Sequence, residues 1–456
     1  MARALDHYHR LPPWGQSLAA SLRGWQLQRR RYGPETPRLV DEALDREHWS
    51  TNRIRAYQQE RLAYVLDRAA RFVPHYRELW SERRRRGDRR SWHLLENWPL
   101  LSKQELRKRP ESFVADDQRV SQMSADHTSG TTGTPLKLLR SRRTVRARYA
   151  IYDARHRGWY QNARADPWAM AGGQLVTPRE RVAPPFWVWN WPMRQLYISS
   201  YHLAPDQARA SLAEIARRGC RYLWGYPSTI QALAEAAGPK APSLAAVVTN
   251  AEPLLPSQRQ VIERAFSCPV RETYGMVELV AAAGECEHGA QHLVPEFGWI
   301  EQPDDSDEFV ATSLLDQDMP LIRYRTGDHG VLDTVGKCAC GRNLPTLRSI
   351  DGRSDDLLRS VDGRPIGRLD PVFKSDAPIR QAQIVQVELD RVLVRLVTAP
   401  GFNPAHGHQI EQALRQRLGR VKVDLKPVKN IPRGANGKFR AVISELNHSP
   451  RQPEAA

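Results

Sequence analysis

From about residue 120 to residue 350, short apolar runs alternate with stretches of helical period, and no other feature of the chain limits its fold as much. The run Leu244-Ala245-Ala246-Val247-Val248-Thr249 reads as a buried strand after a helix near 228–237. Residues 257–266 then read as a helix, with Ser257 as N-cap and Gln260 completing a capping box. Strands alternating with helices predict an α/β architecture with stacked sheets. Upstream, Leu62, Val65, Leu66, Ala69 and Val73 recur at helical spacing, which predicts an amphipathic helix over 56–73 ended by Pro74. Residues 1–45 give no clear pattern. Beyond residue 350 the character changes. A strand hairpin (383–389 and 392–397), a helix (409–418) and a strand (421–428) predict a small α+β domain. The polar run from Asp351 to Asp356 precedes it as a linker, so the domains are expected at 1–350 and 351–456.

Between Thr128 and Thr134 every residue is a hydroxyl side chain or a glycine. Glycines let backbone N–H groups close on an anion, and hydroxyls add donors, so Thr128, Ser129, Gly130, Thr131, Thr132 and Gly133 suit a polyphosphate. The pattern G-x-x-x-x-G-K-[ST] is absent. A flexible polar loop is the plainer reading of the same residues. Three further clusters carry chemistry. Tyr274-Gly275-Met276-Val277-Glu278 offers a ring for a base and a carboxylate for Mg²⁺. Tyr324-Arg325-Thr326-Gly327-Asp328 offers an acceptor for ribose hydroxyls. Pro432 to Arg440 places Lys438 on a glycine-rich loop, where an ammonium can meet developing negative charge. Each cluster taken alone also fits a generic strand-end turn.

The net charge is +17, with arginine runs at 29–31 and 83–86. Such a balance suits nucleic acid, anionic lipid or an anionic substrate, or simply a solvated surface. No zinc-finger spacing or aromatic-interleaved basic signature accompanies it, so no specific nucleic acid is expected. No apolar run is long enough to span a membrane, and residues 1–6 lack a signal-peptide core. Five unevenly spaced cysteines argue for a reducing compartment, with the cytoplasm as the expected location. Cys286, Cys338 and Cys340 with His292 (His288 as alternate) make a closed tetrahedral set for structural Zn²⁺, ordinary reduced thiols being the plainer reading. Phe186-Trp187-Val188-Trp189-Asn190-Trp191 suits either a pocket wall or core packing.

The order of these motifs, joined by Gly352-Arg353-Ser354-Asp355-Asp356, resembles the adenylate-forming superfamily of acyl-CoA synthetases, luciferases and peptide-synthetase adenylation domains. The resemblance spans about residues 55–445. Asn250-Ala251-Glu252-Pro253, Trp224-Gly225-Tyr226-Pro227-Ser228 and Arg323–Asp328 look most like the phenylacetate–CoA ligase branch. The long N-terminal extension and Ser199–Leu203 resemble branch members found near capsule and exopolysaccharide genes. The resemblance implies a large adenylate-forming domain and a small mobile lid. It implies attack of a carboxylate on ATP, giving acyl-AMP and pyrophosphate, then transfer to a thiol, usually coenzyme A. By position, Ser129–Gly133 would hold phosphates and Glu278 Mg²⁺. Ala251, Glu252, Pro253, Tyr274 and Gly275 would frame the adenine, and Asp328 and Arg353 the ribose. Lys438 would bridge acyl and phosphate oxygens, and Asp355 would be the hinge. Tyr201, His202, Gly225, Tyr226 and Pro227 would line the acid site. Some relatives carry a similar cysteine cluster, and relatives are often homodimers. Val277 stands where the superfamily usually has Thr, and Leu136 where Lys is usual. Two rivals remain: adenylation followed by transfer to an amine, sugar hydroxyl or carrier thiol, and a non-catalytic protein binding nucleic acid or membrane through its basic half.

Overall fold

The computed structural model describes residues 7–88, 94–127, 136–178, 180–239, 241–303, 306–333, 338–353, 358–361, 365–366, 372, 377–432 and 439–446. The chain forms two compact units: residues 1–254, 258–326 and 331–348, and residues 255–257, 327–330 and 349–456. The strands from residue 124 to residue 353 are β1 (Ser124–His127), β2 (Lys137–Arg140), β3 (Trp168–Gly172), β4 (Trp187–Asn190), β5 (Gln195–Ser199), β6 (Tyr222–Gly225), β7 (Ala246–Thr249), β8 (Val270–Gly275), β9 (Ala282–Glu285), β10 (Gln291–Leu293), β11 (Gly298–Glu301), β12 (Glu308–Ser313), β13 (Tyr324–Asp333) and β14 (Thr346–Arg353). β1 and β2 pair with each other, and the other twelve lie in the order β11-β12-β13-β14-β10-β9-β8-β7-β6-β3-β5-β4.

The expected α/β class is the one observed. Its central ribbon, β5-β3-β6-β7-β8, is parallel, with β4 and β9 joining antiparallel on either side. Parallel neighbours need crossovers, and the helices Pro205–Arg217, Pro227–Ala236 and Pro256–Phe266 supply them. Ser257 is therefore inside the first turn and not an N-cap. Pro256 starts that helix because a fixed φ and a missing N–H suit its first position. All four residues of β7 are buried, and Leu212, Ile215, Ile230, Leu233 and Ile262 from the crossover helices join Leu223 and Val247 in one apolar core. Each such side chain contributes about 1.5–3 kcal/mol.

A second core gathers Leu66, Ala69, Trp80, Trp98, Phe113, Leu138, Val280 and Tyr324. Its helix runs Thr51–Phe72, longer than periodicity predicts, because the Ser50 side chain caps it by accepting from Arg53 N. Pro74 ends that helix and opens the next, Pro74–Arg85. The unassigned N-terminal region holds two helices, Pro13–Arg31 and Thr36–Arg46. The first covers β4, the edge strand. Ser17 Oγ accepts from Trp189 N at 3.3 Å and Ser21 Oγ accepts from Trp191 N at 3.2 Å. Gly24 allows the close approach, since a Cβ there would lie 1.9 Å from Asn190 Oδ1.

The smaller unit has β15 (Leu358–Arg359), β16 (Pro365–Ile366), β17 (Ile379–Glu388), β18 (Arg391–Thr398), β19 (Lys422–Pro427) and β20 (Val442–Ser444). Its four-stranded sheet has the order β19-β18-β17-β20. The helix Pro404–Leu418, capped by Asn403, contributes Ile410, Leu414 and Leu418 to its core. The expected hairpin is β17–β18, antiparallel. The polar run proposed as a linker is strand through Arg353, since a ladder needs backbone groups and not apolar side chains.

Candidate active site and metal centre

Open α/β sheets bind ligands outside the carboxyl ends of their parallel strands. Four segments singled out in the sequence sit on that rim: 199–203 after β5, 224–228 at the end of β6, 250–253 after β7 and 274–278 at the end of β8. Gly225 is required by packing, as a Cβ would lie 2.4 Å from the Ala171 carbonyl oxygen. Asn250 N donates to the Gly225 carbonyl at 3.2 Å. Ala251 adopts a left-handed backbone with φ of +64°, a conformation an alanine holds only where surrounding structure imposes it. The carboxylate of Glu252, 8% exposed, accepts from Ser228 N at 3.2 Å and Ser228 Oγ at 2.6 Å. It thus locks the turn after β7 to the first turn of the helix Pro227–Ala236, where the helix dipole favours a negative charge. Pro253 is exposed, Gly275 ends β8 exposed, and Tyr274 is half-buried against the core built on Trp80 and Trp98.

Glu278 is 3% exposed, and its Oε1 accepts from Tyr324 Oη at 3.1 Å. Val277 packs against the same core, which accounts for an apolar residue at that position. Its carbonyl accepts from Arg140 Nη2 at 2.8 Å. Arg140 and Asp316 are both fully buried and form an ion pair. Asp316 also accepts from Thr144 Oγ1 at 3.2 Å and Met319 N at 3.3 Å. Burial raises the Asp316 pKa above the usual carboxylate range, and Arg140 opposes that shift. Arg140 ends β2, the strand after the hydroxyl–glycine run. β1 and β2 flank that run with His127 opposite Lys137. The pair therefore anchors one side of that run to the turn carrying Glu278.

Around the presumed acid site, His202 is buried, stacks on Phe186 at 5.0 Å, and places Nδ1 2.8 Å from Ser199 Oγ. Tyr201 Oη donates to the Gly173 carbonyl at 3.1 Å. Tyr226 is half-buried and Pro227 opens its helix. Sequence reasoning missed Tyr197. Burial raises its pKa, and the neighbouring Tyr226 and Tyr201 phenols add to the shift. Its Oη accepts from Gln174 N at 3.2 Å and faces Gly172, where a Cβ would lie 2.3 Å away. Arg140, Asp316 and the roles of Ser228 and Tyr324 were missed too. The one signal for Arg140 was a charged residue closing the pair Leu138-Leu139.

Asp328 is buried in β13, 5% exposed. Arg353 is the last residue of β14. Thr128, Ser129, Gly130, Thr131, Thr132, Gly133, Asp355 and Lys438 lie outside the described residues.

Cys286, His292, Cys338 and Cys340 come together with all ligand atoms within 4.8 Å of one another. Cys286 Sγ lies 3.6 Å from Cys338 Sγ, and Cys340 Sγ 3.2 Å from His292 Nε2. His292 Nδ1 lies 3.2 Å from the Leu344 carbonyl, which fixes the ring and leaves Nε2 facing the thiols. Three sulfurs and one imidazole at these separations fit a tetrahedral zinc ion. β8 and β9 pair antiparallel with Gly275 opposite Ala282 and Thr273 opposite Gly284. Cys286 follows β9, so it lies toward the start of β8, on the rim opposite Glu278.

The large mixed sheet with rim turns 225–228, 250–253 and 274–278 defines an adenylate-forming ligase. The fold matches a crystal structure of 2-hydroxyisobutyryl-CoA ligase in the postadenylation state, with a TM-score of 0.66 at 20% identity, covering 88% of this chain and 92% of that one. The chain belongs to the AMP-binding enzyme family, which matches residues 55–303, and residues 358–445 match the CapK C-terminal domain. Among its relatives are Protein CapK of Staphylococcus aureus, 23% identical over 459 residues (96% of this chain, 99% of that one), and a phenylacetate-coenzyme A ligase of Aromatoleum evansii, 24% identical over 428 residues (88% of each). It is a phenylacetate-CoA ligase-like member of the adenylate-forming superfamily.

Proposed function

We propose that this enzyme activates a carboxylic acid with ATP as an acyl-adenylate and transfers the acyl group to coenzyme A. The observation that carries the reading is the convergence of three motif turns on the carboxyl rim of β6, β7 and β8, with buried Glu278 held by Tyr324. In this reading the acid's carboxylate oxygen attacks the α-phosphorus and pyrophosphate leaves. Glu278 would hold Mg²⁺, which would supply neutralisation of phosphate charge. The strained turn at Ala251 and the Tyr274 ring frame the adenine, with Glu252 fixing that turn through Ser228. Asp328 and Arg353 bind the ribose, Ser129–Gly133 the phosphates, and Lys438 the developing charge between acyl and phosphate oxygens. Asp355 is the hinge of a lid formed by residues 351–456. Tyr197, Tyr201, Gly225, Tyr226, Pro227 and His202 shape the acid site. Zinc at Cys286, His292, Cys338 and Cys340 is structural, because four protein ligands leave no open position.

The test is mass-spectrometric detection of acyl-AMP and acyl-CoA. Purified protein receives ATP, Mg²⁺ and a panel of aryl, fatty and amino acids, with and without coenzyme A. Acyl-AMP that converts to acyl-CoA is expected, and no adenylate with any acid would overturn the reading. Adenylate that persists in the presence of coenzyme A would favour an amine, sugar or carrier-thiol acceptor. The match of residues 358–445 to the CapK C-terminal domain gives that second reading its weight.

A further inference from the structure

The helix Pro13–Arg31 is inside out. Its buried positions are Gly15, Gln16, Ser21 and Gly24, small or polar residues that pack on β4. Its large apolar residues point away: Trp14 is 72% exposed, Leu18 54%, Leu22 61% and Trp25 48%. A helix that serves only its own fold shows the reverse arrangement. At 100° per residue these four side chains fall within one quadrant, and Leu11, just before the helix, is 40% exposed. The apolar strip continues onto Trp191, 67% exposed, whose backbone N–H donates to Ser21.

The charge on this helix is one-sided. It carries Arg23, Arg29, Arg30 and Arg31 and no carboxylate, and Arg10 lies just before it. The Arg29 guanidinium lies 3.9 Å from the Trp25 ring centroid, and Arg218 lies 5.8 Å from that of Trp191. Tryptophan and leucine on one face with Arg29 among them, while Arg31 turns over the Tyr149 ring at 4.3 Å, match the boundary between headgroups and acyl chains. The helix offers a second copy of itself no carboxylate to meet its arginines, whereas an anionic lipid surface complements them. No described helix is long and apolar enough to cross a membrane, so the fit is to lying on a bilayer and not to spanning it.

The geometry points to the helix Pro13–Arg31 as a docking face for an anionic lipid surface. Among the described residues the helix packs chiefly on β4 and on the helix Arg142–Ile151, away from the turns after β6, β7 and β8. Adenylation and lipid binding are thus separable.

The full chain is floated with phosphatidylcholine vesicles with and without phosphatidylglycerol, and its oligomeric state is measured by light scattering. It is expected to float with the anionic vesicles and not with the neutral ones, and to release at high salt. Trp14→Glu with Leu22→Glu should lower binding at least tenfold, and Arg29→Ser about fivefold. These variants should keep the wild-type melting temperature and acyl-AMP formation. Equal flotation of wild type and the Trp14→Glu, Leu22→Glu variant would overturn the proposal. So would no flotation together with a solution dimer that this variant splits, which would assign the face to a second copy.

Discussion

At the scale of single residues, two kinds of site need different tests. Glu278 is buried and held by Tyr324, so Glu278→Gln keeps its shape and removes its charge. We expect pyrophosphate release to fall about hundredfold with little change in melting temperature. Unchanged release would take Mg²⁺ away from this carboxylate. His156 is a different case. It is buried beside Arg155 in the turn Tyr152–Arg157, and burial, aided by that arginine, lowers its pKa to about 3. A histidine lowered in the fold takes up protons mainly when unfolded, so it favours unfolding as pH drops from about 6.5 towards 3. Replacement by phenylalanine should reduce the stability lost between pH 7 and pH 5 by about 2 kcal/mol. Parallel losses in both proteins would show that His156 does not titrate this way. Neither Tyr324's hold on Glu278 nor His156's burial was legible in the sequence, because both depend on contacts between distant segments. The carboxylate of Glu278 itself was legible from its motif.

At the scale of elements, β7 and the crossover helices Pro227–Ala236 and Pro256–Phe266 were readable because period and burial agree there, whereas Pro205–Arg217 was not read. Neither was the N-terminal helix. Its outward leucines and tryptophans and inward glycines and serines defeat a rule that puts apolar residues inside. Its Ser17 and Ser21 hydroxyls engage the outer backbone of β4, a job with no signature in composition. Ser17→Ala with Ser21→Val should speed amide hydrogen exchange at Trp189 and Trp191 about tenfold, since each lost hydrogen bond is worth about 1 kcal/mol. Unaltered exchange there would mean that the helix covers β4 without those hydroxyls. The Arg140–Asp316 pair ties β2 to the turn before Met319 and was equally invisible. Arg140→Met leaves a buried carboxylate without its cation and should cost about 3–5 kcal/mol. Thermal unfolding checks that, and a loss well below this range would mean Asp316 is satisfied by Thr144 and backbone amides alone.

At the scale of the whole molecule, the two rims of the sheet carry different clusters. The motif turns lie on the carboxyl rim, and the cysteine–histidine cluster lies toward the other, past the length of β8. Zinc there would cross-link the chain around 286–292 to that around 338–340. Purified protein should hold about one zinc per chain by elemental analysis, the ratio one closed tetrahedral site sets. Cys340→Ser should lower the melting temperature yet leave acyl-AMP formation within about twofold at temperatures where it stays folded. Loss of adenylation with no loss of stability would contradict a structural metal. The spacing of β6, β7 and β8 has a consequence for how such an enzyme can change its diet. Neighbouring strands stand about 4.8 Å apart, so the three rim turns together span roughly 10 Å, the length of one small molecule. The turn at Gly225 fits tightly on β3 and is bonded through Ser228 to the turn at Ala251–Glu252, whereas Glu278 is held through Tyr324. The turns 225–228 and 250–253 must therefore change together, while the turn at Glu278 can be recut on its own.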